Sequence, residues 1–181
     1  MEFAKIVFYT LAVAMGFGFA YEAVSAAACV EYFTYDRRAM VLTENPLFLG
    51  LQFAFLGWSW VGAALGCSLA VAARIGGEIQ IKPAFFLRPL IALFILVSVV
   101  SATGAGMGYF GETTGRYPLM TNWAQGLARE KHAPYVALIW SHIGAYTSAL
   151  LGGMTLVAWT WKKRRLFTEM SRKNRGSPPL H

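Results

Sequence analysis

The stretch Leu47–Ala73, LFLGLQFAFLGWSWVGAALGCSLAVAA, contains no charged side chain. As an α-helix it would be about 40 Å long, which exceeds the ~30 Å hydrocarbon core of a bilayer. Asn45-Pro46 precedes it, and proline is favoured in the first turn of a helix because its missing N–H costs no hydrogen bond there. The stretch therefore predicts a membrane-spanning helix.

Three further apolar runs accompany this stretch, at 4–28, 89–110 and 134–161. Because 56% of the 181 residues are hydrophobic and 14% are charged, the composition is that of a membrane protein. We predict an all-α fold, a transmembrane four-helix bundle, with one domain over 1–165 and a basic, disordered cytoplasmic tail over 166–181. The run at 4–28 is long for a signal peptide, so we expect it to be kept as the first span.

The net charge of +7 is distributed unevenly over the predicted loops. If the N-terminus lies in the cytoplasm, eleven Lys and Arg residues fall on that side and five on the other. Cytoplasmic loops are enriched in Lys and Arg, so we expect both termini to be cytoplasmic in a multi-pass protein of the bacterial inner (plasma) membrane. Topology explains the basic excess, and the lipid bilayer rather than nucleic acid is the expected partner.

Two ionisable residues, Glu22 and His142, stand inside the apolar runs. Each lies about two helical turns from the outer end of its span, so their depths in the membrane match. Polar residues inside a membrane face the bundle interior and find partners. We predict that Glu22 and His142 meet in the outer half of the membrane. Such a pair can fasten two helices, the interpretation we favour, or relay protons, or hold a cation.

A metal site at the outer rim is an alternative, formed by Glu31 and His132 together with Glu22 and His142. Carboxylates and imidazoles bind zinc and similar ions, but no tight spacing such as H-E-x-x-H occurs. A haem held by two histidines needs imidazoles that face each other from different helices. We therefore expect no cofactor, with a divalent metal or haem near His142 as alternatives. Nucleotide-binding loops and nucleophile motifs are missing from the sequence, so we expect no catalytic residues and no enzymatic activity.

Small residues recur at helical spacing along every span, and these let helix backbones approach closely in a membrane. The predicted helix-packing positions are Gly16, Gly62, Gly66, Gly104, Gly108, Gly144, Ser148 and Gly152. A basic cluster follows the fourth span and is predicted to contact lipid headgroups. Its members are Lys162, Lys163, Arg164 and Arg165.

At Cys29-Val30-Glu31-Tyr32-Phe33-Thr34 the sequence resembles a group of small bacterial four-helix membrane proteins of unassigned function, which carry C-V-E-Y-F-T after the first span. Their N-P or D-P step and Trp- and Gly-rich second span are matched by Asn45-Pro46 and by Trp58 through Gly66. An H-D-Q triplet in those proteins aligns with Tyr21, Glu22 and Ala23. Of the three positions, only the central one still carries an acidic residue. The resemblance implies a membrane bundle and, with the triplet altered, a structural or subunit role.

Two functions follow from these patterns. The first is an accessory or scaffold subunit without enzymatic activity, which packs through its small-residue helix faces against other membrane subunits or its own copies. The alternative is a small transporter or a proton- or cation-handling protein that uses Glu22 and His142.

Overall fold

The computed structural model describes residues 2–35, 43–75, 80–116 and 126–176, and these contain helices but no β-strand. Within this part of the chain, three helices are long and apolar enough to cross a membrane, at Glu2–Ala28, Pro46–Arg74 and Pro83–Thr113. The fourth predicted span lies inside a longer helix, Arg129–Gly176, whose apolar stretch is interrupted by Ser, Thr and His. The all-helical fold is therefore confirmed, together with three candidate crossings.

Five helices follow one another within the described ranges, and we number them in order. Helix α1 is Glu2–Ala28, α2 is Glu31–Thr34, α3 is Pro46–Arg74, α4 is Pro83–Thr113 and α5 is Arg129–Gly176. Helix α3 contains a π-helical turn at Ala54–Trp58, and α4 begins with a 3₁₀ turn at Pro83–Phe86. Asn45 caps α3, because its side chain accepts a hydrogen bond from the Leu47 N–H and Pro46 occupies the first helical position.

Helices α1 and α3 form a tight antiparallel pair through glycines. A Cβ added to Gly50 would lie 2.7 Å from the backbone nitrogen of Ala23, and one added to Gly66 would lie 3.0 Å from the Cα of Val7. Gly62 meets Ala14 in the same way. The backbones can approach this closely only because these positions carry no side chain.

Helices α4 and α5 form a second antiparallel pair that is also closely packed at glycines. Gly104 and Gly108 lie against the backbone of α5 at Trp140 and Val136, and Gly144 lies against that of α4 at Val100. Gly152 faces Leu93, and the Ser148 hydroxyl donates to the Gly144 carbonyl of its own helix. The six glycines at 62, 66, 104, 108, 144 and 152 thus lie against a neighbouring helix of the same chain, whereas Gly16 has no neighbour within 4 Å.

The two helix pairs meet at an interface that we call the seam. Its apolar core includes Trp58 and Leu65 of α3, Phe94 and Val97 of α4, and Ala145 of α5. Helix α1 packs mainly on α3, and α4 packs mainly on α5, whereas contacts across the seam are fewer. The chain is therefore built as two close-packed halves joined along one surface.

Helix α5 departs from the prediction at both ends. It begins at Arg129, so Pro134 lies within the helix instead of opening it. It also continues to Gly176, so the predicted disorder of 166–181 is wrong for 166–176; residues 177–181 lie outside the described residues. Lys, Arg, Leu, Glu and Met favour helix, and extending an existing helix costs less than nucleating a new one.

Candidate functional site

Glu22 and His142 are in direct contact, as predicted from their matching depths. Nε2 of His142 lies 3.0 Å from Oε2 of Glu22, and the two residues are 7% and 2% exposed. Glu22 comes from α1 and His142 from α5, so the contact bridges the seam. Nδ1 of His142 donates to the carbonyl oxygen of Leu138 at 2.9 Å, which fixes the ring orientation.

The hydrogen-bond geometry requires one proton between the two side chains. Because a carbonyl oxygen only accepts, the Nδ1 that faces Leu138 carries hydrogen, and a neutral ring would then have a bare Nε2. A bare Nε2 facing an ionised carboxylate would place two acceptors in contact. The pair is therefore either imidazolium with carboxylate or imidazole with carboxylic acid. Both forms are electrically neutral, which permits burial in an apolar core.

Trp58 holds the second oxygen of the carboxyl group. Its indole Nε1–H donates to Oε1 of Glu22 at 3.0 Å, and its side chain is fully buried. Trp58 is the last residue of the π-helical turn Ala54–Trp58, and single π turns are frequent at functional sites because the extra residue re-aims the side chains around it. A Cβ at Gly18 would overlap the indole, so this glycine allows Trp58 to lie against α1.

A cluster of three hydroxyl groups lies beside the pair. Tyr21 Oη is 2.8 Å from Ser141 Oγ and 3.2 Å from Ser101 Oγ, and the two serine oxygens are 2.7 Å apart. The Tyr21 ring meets the His142 ring edge-on at 5.0 Å. These hydroxyls come from α1, α4 and α5, so the polar part of the seam extends beyond the Glu–His pair. The sequence interpretation did not include them.

The Cys29–Thr34 motif covers the pair from the end of the bundle at which α1 ends. Tyr32 stacks on the His142 ring at 4.6 Å, and Phe33 lies edge-on to it at 6.3 Å. Both residues are buried, at 8% and 0% exposed. The short helix α2 therefore covers this side of the site with aromatic rings.

Glu31 takes a different partner from the one considered for a metal site. Its carboxylate forms an ion pair with Lys131 Nζ at 3.1 Å and accepts a hydrogen bond from the Cys29 thiol at 3.4 Å. Partial burial acts to raise the pKa of Glu31, but hydrogen bonds from its own backbone, Lys131 and Cys29 outweigh it and lower the pKa. Burial raises the pKa of the Cys29 thiol to about 11. Glu31 is therefore ionised and Cys29 protonated at neutral pH.

His132 lies at the rim on the α4 side. Its Nε2 donates to the Leu127 carbonyl at 2.9 Å, and its Nδ1 lies 3.8 Å from a carboxylate oxygen of Glu112. Within residues 2–35, 43–75, 80–116 and 126–176, no three His, Cys, Asp or Glu side chains converge as a metal site would require. The alternative of a metal held by Glu22, Glu31, His132 and His142 gains no support from this arrangement, because Glu31 pairs with Lys131 and His132 contacts Leu127 and Glu112.

The basic cluster at the far end of α5 divides into two kinds of side chain. Lys163 lies over the Trp159 ring at 5.7 Å and Arg165 over the Trp161 ring at 4.5 Å, contacts in which aromatic faces attract cations. Lys162 is exposed, whereas Arg164 is only 6% exposed. The predicted headgroup cluster thus contains one residue that turns into the protein.

These features define a class of protein: an all-helical chain, compatible with a membrane, that carries a buried acid–imidazole pair between two helix pairs. No protein-family model, curated protein or solved structure matches the chain. Any function must therefore be argued from the site itself.

Proposed function

We propose that the chain is a four-crossing protein of the bacterial inner membrane, with both termini in the cytoplasm, that handles protons through Glu22 and His142. The observation that carries the proposal is the buried 3.0 Å contact between Nε2 of His142 and Oε2 of Glu22 at the seam. Burying an ionisable pair at membrane depth is expensive, and residues that do so usually serve transport or proton relay.

The site's position between two halves supplies a mechanism. Loss of the proton between the two side chains would leave a negative charge on Glu22, and gain of a second proton would leave a positive charge on His142. Both charges would lie in a site from which water is excluded. Either charge is stabilised when the seam opens and water enters. Protonation thereby becomes coupled to separation of the α1–α3 pair from the α4–α5 pair, and rocking of one helix bundle against another is how many transporters alternate access.

Two observations support a fourth crossing and the proposed topology. The 134–161 part of α5 packs antiparallel to α4, a candidate span, along the glycine contacts already described. The excess of Lys and Arg on the side of the N-terminus and the α5 tail follows the bias of cytoplasmic loops.

Proton flux into liposomes tests the proposal, with an internal pH-sensitive dye as the readout. The full-length protein should dissipate an imposed pH gradient faster than protein-free liposomes do. Glu22→Gln should reduce the flux to background, because its amide can accept from Trp58 and donate to neutral His142 but has no proton to exchange. Glu31→Gln is the matched control and should retain the flux. Wild-type flux at background, or full flux in Glu22→Gln, would contradict the proposal.

An accessory or scaffold subunit is the second candidate, and the length of α5 favours it. At 48 residues the helix is about 72 Å long, whereas a bilayer with its headgroups measures about 45 Å. The helix must therefore project from the membrane, and the part after Arg165 carries exposed Leu166, Phe167 and Met170 among basic residues. If this segment docks a partner, a chain ending at Arg165 should lose proteins that co-purify with the full chain from native membranes.

A further inference from the structure

A groove runs between α3 and α5 on the outside of the bundle, from Trp60 at one end to Arg164 at the other. It consists of two adjoining pockets of about 660 and 560 Å³ that share Ser68 and Trp161 in their walls. Its α5 wall, 146–164, is about 27 Å long, close to the ~30 Å hydrocarbon thickness of a bilayer. The groove is apolar along its length and carries a cation at its inner end.

Arg164 is unusual among the basic residues of the chain. Its guanidinium Nη1 is buried and has no hydrogen-bond partner among the described residues. The ion pairs found in the described ranges join other residues and leave Arg164 out. A buried charge without a partner is strongly unfavourable. The flanking Lys163 and Arg165 lie over tryptophan rings. Of these three neighbours, Arg164 is the one with a buried guanidinium nitrogen that lacks a hydrogen-bond partner.

We propose that the groove binds an anionic phospholipid, with its phosphate on Arg164 and an acyl chain along the α3–α5 wall. A guanidinium presents paired N–H donors that match phosphate oxygens, and Arg164 lines the end of the groove, so a phosphate there would balance its buried charge. Arg165, held over Trp161, adds a second cation beside the groove's end. The long apolar wall matches a hydrocarbon chain, which free phosphate lacks. A phospholipid matches both the apolar wall and the cation at its end.

Native mass spectrometry of the full-length protein released from micelles tests the proposal, with phosphatidylglycerol, phosphatidylcholine and inorganic phosphate as probes. Wild-type protein should retain phosphatidylglycerol in preference to phosphatidylcholine. Arg164→Gln should bind phosphatidylglycerol about tenfold more weakly, since it loses a charge-assisted contact to phosphate. Lys162→Gln removes the same charge from an exposed position and should lose no more than a few-fold. Equal losses in the two variants would show diffuse electrostatic attraction and overturn the site.

A groove-filling variant keeps the test valid if Arg164→Gln does not fold. Ala158 is exposed and lines the groove, so Ala158→Trp fills the acyl path with Arg164 left in place. Loss of phosphatidylglycerol in this variant supports the proposal, and full retention overturns it. Inorganic phosphate that displaces the lipid at equal concentration would also overturn it, because it would indicate a free-anion site. Glu22→Gln, whose site lies at the seam, should bind the lipid normally.

Discussion

Two acid–base pairs of nearly equal length occupy different surroundings in this protein. The Glu22–His142 pair spans 3.0 Å with side chains 2% and 9% exposed, whereas the Glu31–Lys131 pair spans 3.1 Å with side chains 25% and 42% exposed. Water reaches the second pair and screens it, whereas the first is held by Trp58 and the Leu138 carbonyl beneath the aromatic rings of α2. Distance alone therefore says little about what either pair contributes.

The contrast shows that solvent access decides the role of each pair. A solvated pair loses little when broken, because water replaces the missing partner. A buried pair cannot be broken without leaving bare donors or acceptors in an apolar core.

Replacing Glu22 by Leu should have the largest effect. The substitution removes the hydrogen-bond partner of both Trp58 Nε1 and His142 Nε2, so we expect a loss of about 3 kcal/mol in unfolding free energy. Denaturant titration in micelles, followed by tryptophan fluorescence, measures it. Glu22→Gln is the matched control and should stay within about 1 kcal/mol of wild type, because the amide serves both partners. Equal losses in the two variants would mean that hydrogen bonding does not govern the site.

Replacing Gly50 by Ala should have the next largest effect, because it separates α1 from α3 beside the buried pair. The new Cβ would lie 2.7–2.8 Å from the backbone of Ala23, the residue after Glu22, so α1 must move away from α3. We expect a loss of about 1–3 kcal/mol in the same titration. Gly16→Ala adds a methyl group where nothing lies within 4 Å and should be neutral or slightly stabilising. Similar losses at both positions would contradict the close approach of α1 and α3.

Replacing Trp58 by Phe should have a smaller effect that reports on the proton. Phenylalanine keeps the aromatic contacts with Phe17 and Tyr146 but removes the donor to Glu22, at a cost of about 1 kcal/mol. Because that donor favours the ionised carboxylate, the shared proton should move toward Glu22. The ¹⁵N chemical shifts of the His142 ring should then change toward neutral imidazole. Unchanged shifts would show that Trp58 does not bias the proton.

The sequence predicted the Glu22–His142 contact because only depth and polarity were needed for it. Two polar residues at equal height in neighbouring spans have few other partners in hydrocarbon. It did not predict that Trp58 would join them, because the residue pattern did not indicate the π-helical turn that ends at Trp58. Ser101 and Ser141 were missed for a related reason, because serine in a membrane helix commonly bonds to its own backbone, as Ser98 does here.

The small-residue positions show a different limit of the sequence. Gly62, Gly66, Gly104, Gly108 and Gly144 all mark close helix contacts, so their role in packing was predictable from spacing. Whether the facing helix belongs to the same chain or to a partner is not encoded in the spacing. Because these faces are filled within the chain, they no longer argue for a partner subunit, and the case for one rests on the projecting part of α5.

The smallest effect should come from Glu31→Gln at the solvated pair, and pH should reveal it. The folded-state pKa of Glu31 is lowered, so its stabilising contribution is present above the unfolded-state pKa and is lost as pH falls through the folded value. At neutral pH the variant should be slightly less stable than wild type, and the difference should vanish in acid. Denaturant titration of both chains from neutral to acidic pH measures this. A difference as large as that of Glu22→Leu would mean that water does not reach the rim pair, and the contrast between the two pairs would fail.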